Sequence, residues 1–350
     1  MAQVARGFSR AALVLLLLLG LLGAAAFGGQ RWLAARLGPV DPAAQELIWV
    51  EIPSGVTTAD VANLLFEQGL IKDPTVFRYY VRYRQLDAKL LSGEYQLSPS
   101  MTPELILQHL TQGSVRVHRF TVPEGLTIAM MADLLAEKRV MTREQFLAAA
   151  RALAAGNPHL PEGVELAEPM EGYLFPATYE YRQSATPEEI VRMMFDRFEQ
   201  VWTEELKQRA RELNLTIHQV VTLASIVETE ARVAQERPAI AGVYLNRLEV
   251  EMPLQADPTV YYALGLPRGE QLLYSHLEVD SPYNTYRYGG LPPGPIAAPG
   301  EDSIRAVLFP EEHDYYYFVA KADGTGEHYF GRTLDEHNEN VARAEANARK

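Results

Sequence analysis

Between Ala11 and Gly29 the chain runs for 19 residues without a charge, "AALVLLLLLGLLGAAAFGG". A helix needs about 20 apolar residues to cross a bilayer core. The run is therefore expected to be a transmembrane helix over 11–29, with residues 1–10 as a tail before it and 30–46 as a linker. The competing reading is a cleaved signal peptide, for which "GAAAFG" offers small residues; the length of the apolar run favours retention. Arg6 and Arg10 precede it and Arg31 and Arg36 follow it, so flanking charge does not orient it. With one such segment, all that follows lies on one side of the membrane.

Beyond the linker the hydrophobic pattern repeats. "IPSGVTTADVANLLFEQG" (52–69) returns as "VPEGLTIAMMADLLAEKR" (122–139), offset by 70 residues without a gap. In each copy a strand ends at a Pro-x-Gly turn, a threonine (Thr57 or Thr127) is placed to cap a helix, and apolar residues then recur at helical spacing. A weaker echo follows, "GEYQLSPSMTPELIL" (93–107) against "YEYRQSATPEEIV" (179–191): a strand, then Thr-Pro-Glu opening a helix with proline in its first turn. These patterns predict two related α+β modules, 47–117 and 118–198. Whether either holds a ligand or serves only as scaffold is left open by the residues.

From about 199 to 350 the pattern changes to helices followed by stretches rich in Pro, Gly, Tyr and Asn, such as "LQADPTVYYALG" and "SPYNTYRYGGLPPGPIAAPG". "YYYFVAKADGTGEHYF" predicts a β-hairpin with Asp323-Gly324 at its turn. The expected fold is thus α+β: a transmembrane helix, two small modules, and a mainly helical domain bearing loops and a hairpin. Within that domain Thr216 is placed to cap a helix running to about Val233. At about 100° per residue, Ile217, Val221, Ala224 and Glu228 share an apolar stripe, while Glu230 falls about 200° beyond Glu228, toward solvent. In the following "PAIAGVYLNRLEV", Ile240, Val243, Tyr244 and Leu248 form the buried face, with Asn246 and Arg247 beside it.

The 350 residues carry a net charge of −13 and no cysteine. That excludes disulfide and thiolate chemistry, and the lack of a basic stripe argues against a nucleic-acid partner. The eight histidines show no His-Glu-x-x-His pattern, and neither a Gly-x-Ser-x-Gly elbow nor a phosphate-cradling glycine loop is present. No metal and no cofactor is expected. His313 and His337, each among acids, read as surface or strand-edge residues.

Glu228 is the residue the pattern singles out. A carboxyl sheltered from water resists ionisation and can donate a proton near neutral pH, and glycoside cleavage needs such a donor at the departing sugar oxygen. The bland alternative is an ion pair with Arg232, four residues on. Asp257 and Asp280 are the loop carboxylates available as a second acid, but a single acid suffices where the attacking group belongs to the substrate.

"LASIVETEA", "AGVYLNRL", "LQADPTVYYALG", "SPYNTYRYGGLPPGPIAAPG", "YYYFVA" and the upstream "EGYLFPATYEY" (171–181) together resemble the YceG-like endolytic murein transglycosylases, the MltG family, over nearly the whole chain from about residue 47. One departure is Ala177, where that family usually places Asp. The resemblance implies a membrane anchor with the bulk of the chain on the periplasmic or extracytoplasmic side, and a LysM-like first module. It implies cleavage of the β-1,4 bond between N-acetylmuramic acid and N-acetylglucosamine in nascent peptidoglycan strands, leaving 1,6-anhydro ends, and peptidoglycan synthases as partners. It places the catalytic glutamate on Glu228. Gln255, Asp257, Thr259, Tyr261, Asn284, Thr285 and Tyr286 are then the candidates for lining a glycan cleft. A water-using muramidase and a non-catalytic wall-binding scaffold are the alternatives.

Overall fold

A computed structural model describes residues 27–53, 55–112, 118–182, 185–267 and 269–349. The expected transmembrane helix lies outside these residues except for 27–29, which are helical together with 30–36 (α1, described over 27–36). Among the described residues no helix is long and apolar enough to cross a membrane.

The chain divides into two units. The first, the residues up to 118 with 182–184, orders as β1 (Ile48–Ile52), α2 (Thr58–Glu67), α3 (Pro74–Tyr83), β2 (Gly93–Leu97) and α4 (Pro103–Gln112). The two strands pair antiparallel, from Ile48 opposite Leu97 to Ile52 opposite Gly93. Val50, Ile52, Tyr95 and Leu97 alternate inward from this ribbon and meet Val61, Leu65, Phe77, Val81, Ile106 and Leu110 from the helices. A two-stranded ribbon is marginal alone; the helices packed on one face complete its core.

The second unit opens with the same order: β3 (His118–Thr121), α5 (Ile128–Glu137), α6 (Arg143–Ala154), β4 (Thr178–Tyr181) and α7 (Pro187–Val201). β3 and β4 form a second two-stranded sheet. The local chemistry repeats with the sequence. Thr57 caps α2 by accepting from the Asp60 N–H, and Thr127 caps α5 by accepting from the Met130 N–H. Thr186 caps α7 with Pro187 in its first turn, and Pro103 opens α4.

The expected boundary between 118–198 and a separate domain 199–350 falls inside a continuous core and is corrected here. Phe120, Leu135, Tyr173, Met194, Phe198 and Trp202 pack in one cluster with Val221, Ala224, Ile240 and Leu308. The second module is therefore one part of a single larger unit. The rest of that unit is α8 (Glu204–Glu212), α9 (Ile217–Glu230), α10 (Arg237–Glu249), α11 (Asp257–Leu264), α12 (Glu301–Leu308), β5 (Tyr317–Ala320), β6 (His328–Gly331) and α13 (Leu334–Ala348). β5 and β6 form the expected hairpin, Tyr317 opposite Gly331. At its turn the Asp323 carboxylate accepts from the Thr325 N–H, and Gly324 takes a positive φ of 85°.

Candidate active site

The site is built on the end of α9. Thr216 and Gln219 close its start as a capping box, and every residue from Val220 to Val227 is buried. Thr222 and Ser225 spend their hydroxyls on the His218 and Thr222 carbonyls, which lets polar side chains sit in this core. The Ser225 oxygen also accepts the Ile296 N–H, drawing the 293–300 segment against the helix.

Because α9 is enclosed along Val220–Val227, it has no solvent face there, and the placement of its two glutamates differs from the one read off the helical wheel. Glu228 is not among the residues that line the cavity of about 580 Å³ beside this helix. Its side chain, 7% exposed, takes an ion pair from Arg237 at 3.1 Å, the Gly300 N–H at 3.0 Å and the Ser303 hydroxyl at 2.8 Å. This is a buried carboxylate held by three donors, joining the end of α9 to the starts of α10 and α12. Its cation is Arg237 rather than the Arg232 weighed from the sequence.

Glu230, expected in solvent, instead lines a cavity of about 580 Å³. It is half-buried, and the Tyr244 hydroxyl donates to it at 3.1 Å. Burial, assisted by the nearby Asp257 charge, pushes its pKa from 4.5 up to about 7, against the lowering influence of the Tyr244 bond, Arg247 and Arg232. A carboxyl poised there holds a proton at neutral pH and can give it up.

Four of the seven predicted cleft residues line this same cavity: Gln255, Asp257, Tyr261 and Tyr286. Gln255 is held in a left-handed turn at φ 49°, its N–H bonded to the Thr285 carbonyl. Tyr286 donates to the Asp257 carboxylate at 2.6 Å. Tyr261 donates to the Glu270 carbonyl.

Thr259, Asn284 and Thr285 do not line it, and their expected role is corrected. All three are buried. Thr259 and Thr285 share a hydroxyl bond at 2.9 Å, and Thr285 accepts the Ala256 N–H. The Asn284 amide donates to the Leu277 and Val279 carbonyls. These residues fix the loop that aims Tyr286. Asp280 lies outside the cavity, where its carboxylate accepts from Tyr288.

Several lining residues were missed. Tyr244 was read as core, and its ring is buried while its hydroxyl reaches Glu230. Arg247 is buried and spends its donors on the Tyr316, Pro253 and Leu254 carbonyls, holding one wall together. Tyr317, His328 and His337 come from the hairpin and α13. His328 is tied to Glu236 at 2.7 Å, and His337, read as a surface residue, is half-buried and stacks on Tyr317 with ring centroids 5.2 Å apart. Their positions depend on pairing distant in sequence, which no local motif announces. Ala177 lies beside β4, where its carbonyl accepts the Val122 N–H. Among the described residues no group of three His, Asp or Glu side chains is placed to hold a metal.

Compared with known proteins, residues 50–343 match the YceG-like family. The endolytic murein transglycosylase of Bacillus subtilis is 36% identical over 314 residues, 86% of each chain. That of Streptococcus pneumoniae R6 is 31% identical over 357 residues, covering 93% of this chain and 64% of the relative. A crystal structure of a yceG-like protein from Listeria monocytogenes superposes with a TM-score of 0.58 at 35% identity, covering 84% of this chain and 99% of that one.

Proposed function

The chain belongs to the YceG-like family, and from that premise we propose that it is an endolytic murein transglycosylase whose acid is Glu230. The observation that carries the assignment of the acid is its environment. Glu230 lines the large cavity and has its pKa raised to about 7, whereas Glu228 lies outside the cavity, bound by three donors.

The substrate is a peptidoglycan strand, cut at the β-1,4 bond between N-acetylmuramic acid and N-acetylglucosamine. Protonated Glu230 gives its proton to the bridging oxygen as the bond to the muramyl C1 breaks. Positive charge grows at C1 and the ring oxygen. The muramyl 6-hydroxyl then bonds to C1, and the Glu230 carboxylate takes the hydroxyl proton. The acid is restored, no water is consumed, and the product ends in a 1,6-anhydro ring. One group serving first as acid and then as base follows from microscopic reversibility. The Tyr244 hydroxyl holds the carboxylate between the two steps, and Tyr261 and Tyr286 offer rings to sugar faces.

A water-using muramidase is the second reading, favoured by one observation: Asp257 shares the cavity with Glu230 and could serve as base. Mass spectrometry of strands incubated with the full chain separates the two. Anhydro ends support transglycosylation, and reducing ends without anhydro ends overturn it.

Residues 47–117 are read as a LysM-like module that holds glycan. Its βααβ order and a cavity of about 400 Å³ lined by Thr57, Thr58, Arg78, Tyr79 and Asp87 support that reading. Residues 11–29 are read as the anchor that keeps the enzyme at the cytoplasmic membrane with its bulk outside, near the synthases that extend the strands.

A further inference from the structure

At the lip of the larger cavity a guanidinium stands unused. α9 ends at Ala231, whose extended conformation (φ −67°, ψ 116°) turns the chain out of the helix. Arg232 follows, exposed and lining the cavity with Glu230. Its stem faces the hairpin turn, where a Cβ built on Gly326 would stand 3.4 Å from the Arg232 Cβ. Among the described residues Arg232 makes no hydrogen bond and no ion pair.

The neighbouring basic side chains are engaged elsewhere. Arg247 is spent on three backbone carbonyls, Arg237 on Glu228 and Glu124, Lys321 on Glu327 and His328 on Glu236. Burial favours the neutral form of His337. Arg232 also works against the acid beside it, since its charge lowers the Glu230 pKa and so opposes the protonated state that the proton donor requires. A cation that hinders the donor and bonds to nothing else in the protein is accounted for by an anion that arrives with the substrate.

We infer that Arg232 binds a carboxylate carried on the 3-O-lactyl substituent of the muramyl residue, and thereby selects among murein strands. The inference rests on the glycan-cleaving function proposed above and extends it to substrate choice. The sugar backbone of murein is otherwise neutral; its anions are the lactyl carboxylate, where the peptide is absent, and the carboxylates of the stem peptide, where it is present. Both are met by the same planar fork of donors, which takes a carboxylate through two parallel bonds.

The test measures kcat and KM for anhydro-end formation by the full chain and its Arg232→Gln and Arg232→Lys variants. Three strand preparations are used: strands with intact stems, strands stripped by an amidase to the free lactyl acid, and intact strands whose carboxylates are blocked by carbodiimide amidation. The wild-type chain is expected to prefer one carboxylate-bearing preparation over the blocked one by about tenfold in kcat/KM, the scale of a hydrogen bond to a charged group. The preparation preferred identifies the source of the anion. In Arg232→Gln the preference falls toward one, mainly through KM, and Arg232→Lys restores part of it. If Arg232 acts only through Glu230, the variant instead shifts the pH profile on all three preparations alike and leaves the preference intact, which overturns the inference. A wild-type chain with no preference overturns it equally. Anhydro ends absent from every preparation would instead overturn the underlying function.

Discussion

Glu228 and Glu230 stand about 200° apart around one helix, yet neither reaches open solvent, and their surroundings give them opposite characters. Glu228 is met by a guanidinium, a backbone N–H and a hydroxyl. Glu230 receives one tyrosine hydroxyl, and burial pushes it to about 7. A proton donor must be protonated to act, so cleavage is expected to fall as pH rises through about 7; a pH–rate profile of kcat/KM checks this. A rate flat from pH 5 to 9 would contradict it. The sequence made the end of this helix legible as the chemical centre but named Glu228 alone and set Glu230 in solvent, because Glu228 continues the apolar stripe. The helical wheel presupposes a wet side, and α9 has none between Val220 and Val227. The partners that decide, Arg237, Ser303 and Tyr244, come from other helices.

At the scale of elements, the site depends on how closely α10 and the segment before β5 approach. Asn246 donates to the His313 and Tyr315 carbonyls, and Arg247 to that of Tyr316. The approach requires Gly242: a Cβ there would lie 2.7 Å from the Glu311 carbonyl oxygen and 2.8 Å from His313 Nε2. Gly242→Ala should therefore destabilise by roughly 1–3 kcal/mol, the usual range for overpacking, despite alanine's better helix propensity. A denaturant titration would show the lower midpoint, and an unchanged or higher midpoint would refute the argument. Caps and turns were the legible elements, since Thr57, Thr127, Thr186 and Thr216 act within three residues of themselves. Arg247 was less so. It is buried beside Leu248, which packs on the core as expected, because carbonyls from loops satisfy it.

For the whole molecule, the 70-residue echo pointed to two related α+β modules; the structure has a βααβα order in each stretch, with a second helix that the echo did not reveal and a second copy that shares its core with everything downstream. Local periodicity fixes helices and strands, while continuity of a core is set by packing among residues as far apart in the chain as Phe120 and Leu308. The burial of one carboxyl in this core is expected to make folding pH-dependent. Glu171, 3% exposed, accepts the Ile128 N–H at the start of α5, and burial raises its pKa from 4.5 to about 8. Its folded pKa lies above its unfolded value, so its contribution is complete below about 4.5 and is lost as pH rises toward about 8. The loss runs at roughly 1.4 kcal/mol per pH unit within that window. Thermal unfolding of the wild-type chain and Glu171→Gln at pH 5, 6, 7 and 8 should give a steeper decline for the wild type. Parallel curves would remove Glu171 as the cause.

The most direct test of the account compares Glu230→Gln with Glu228→Gln in release of 1,6-anhydro ends from murein strands, with melting temperatures measured on the same preparations. Glu230→Gln is expected to melt near the wild type and lose about 10²–10⁴-fold in rate, the contribution of a positioned acid–base group. Glu228→Gln is expected to melt lower and, at a temperature where it is folded, to keep measurable cleavage. A Glu230→Gln chain that cleaves at the wild-type rate, beside a well-folded Glu228→Gln chain that does not cleave, would return the acid to Glu228 and contradict the account.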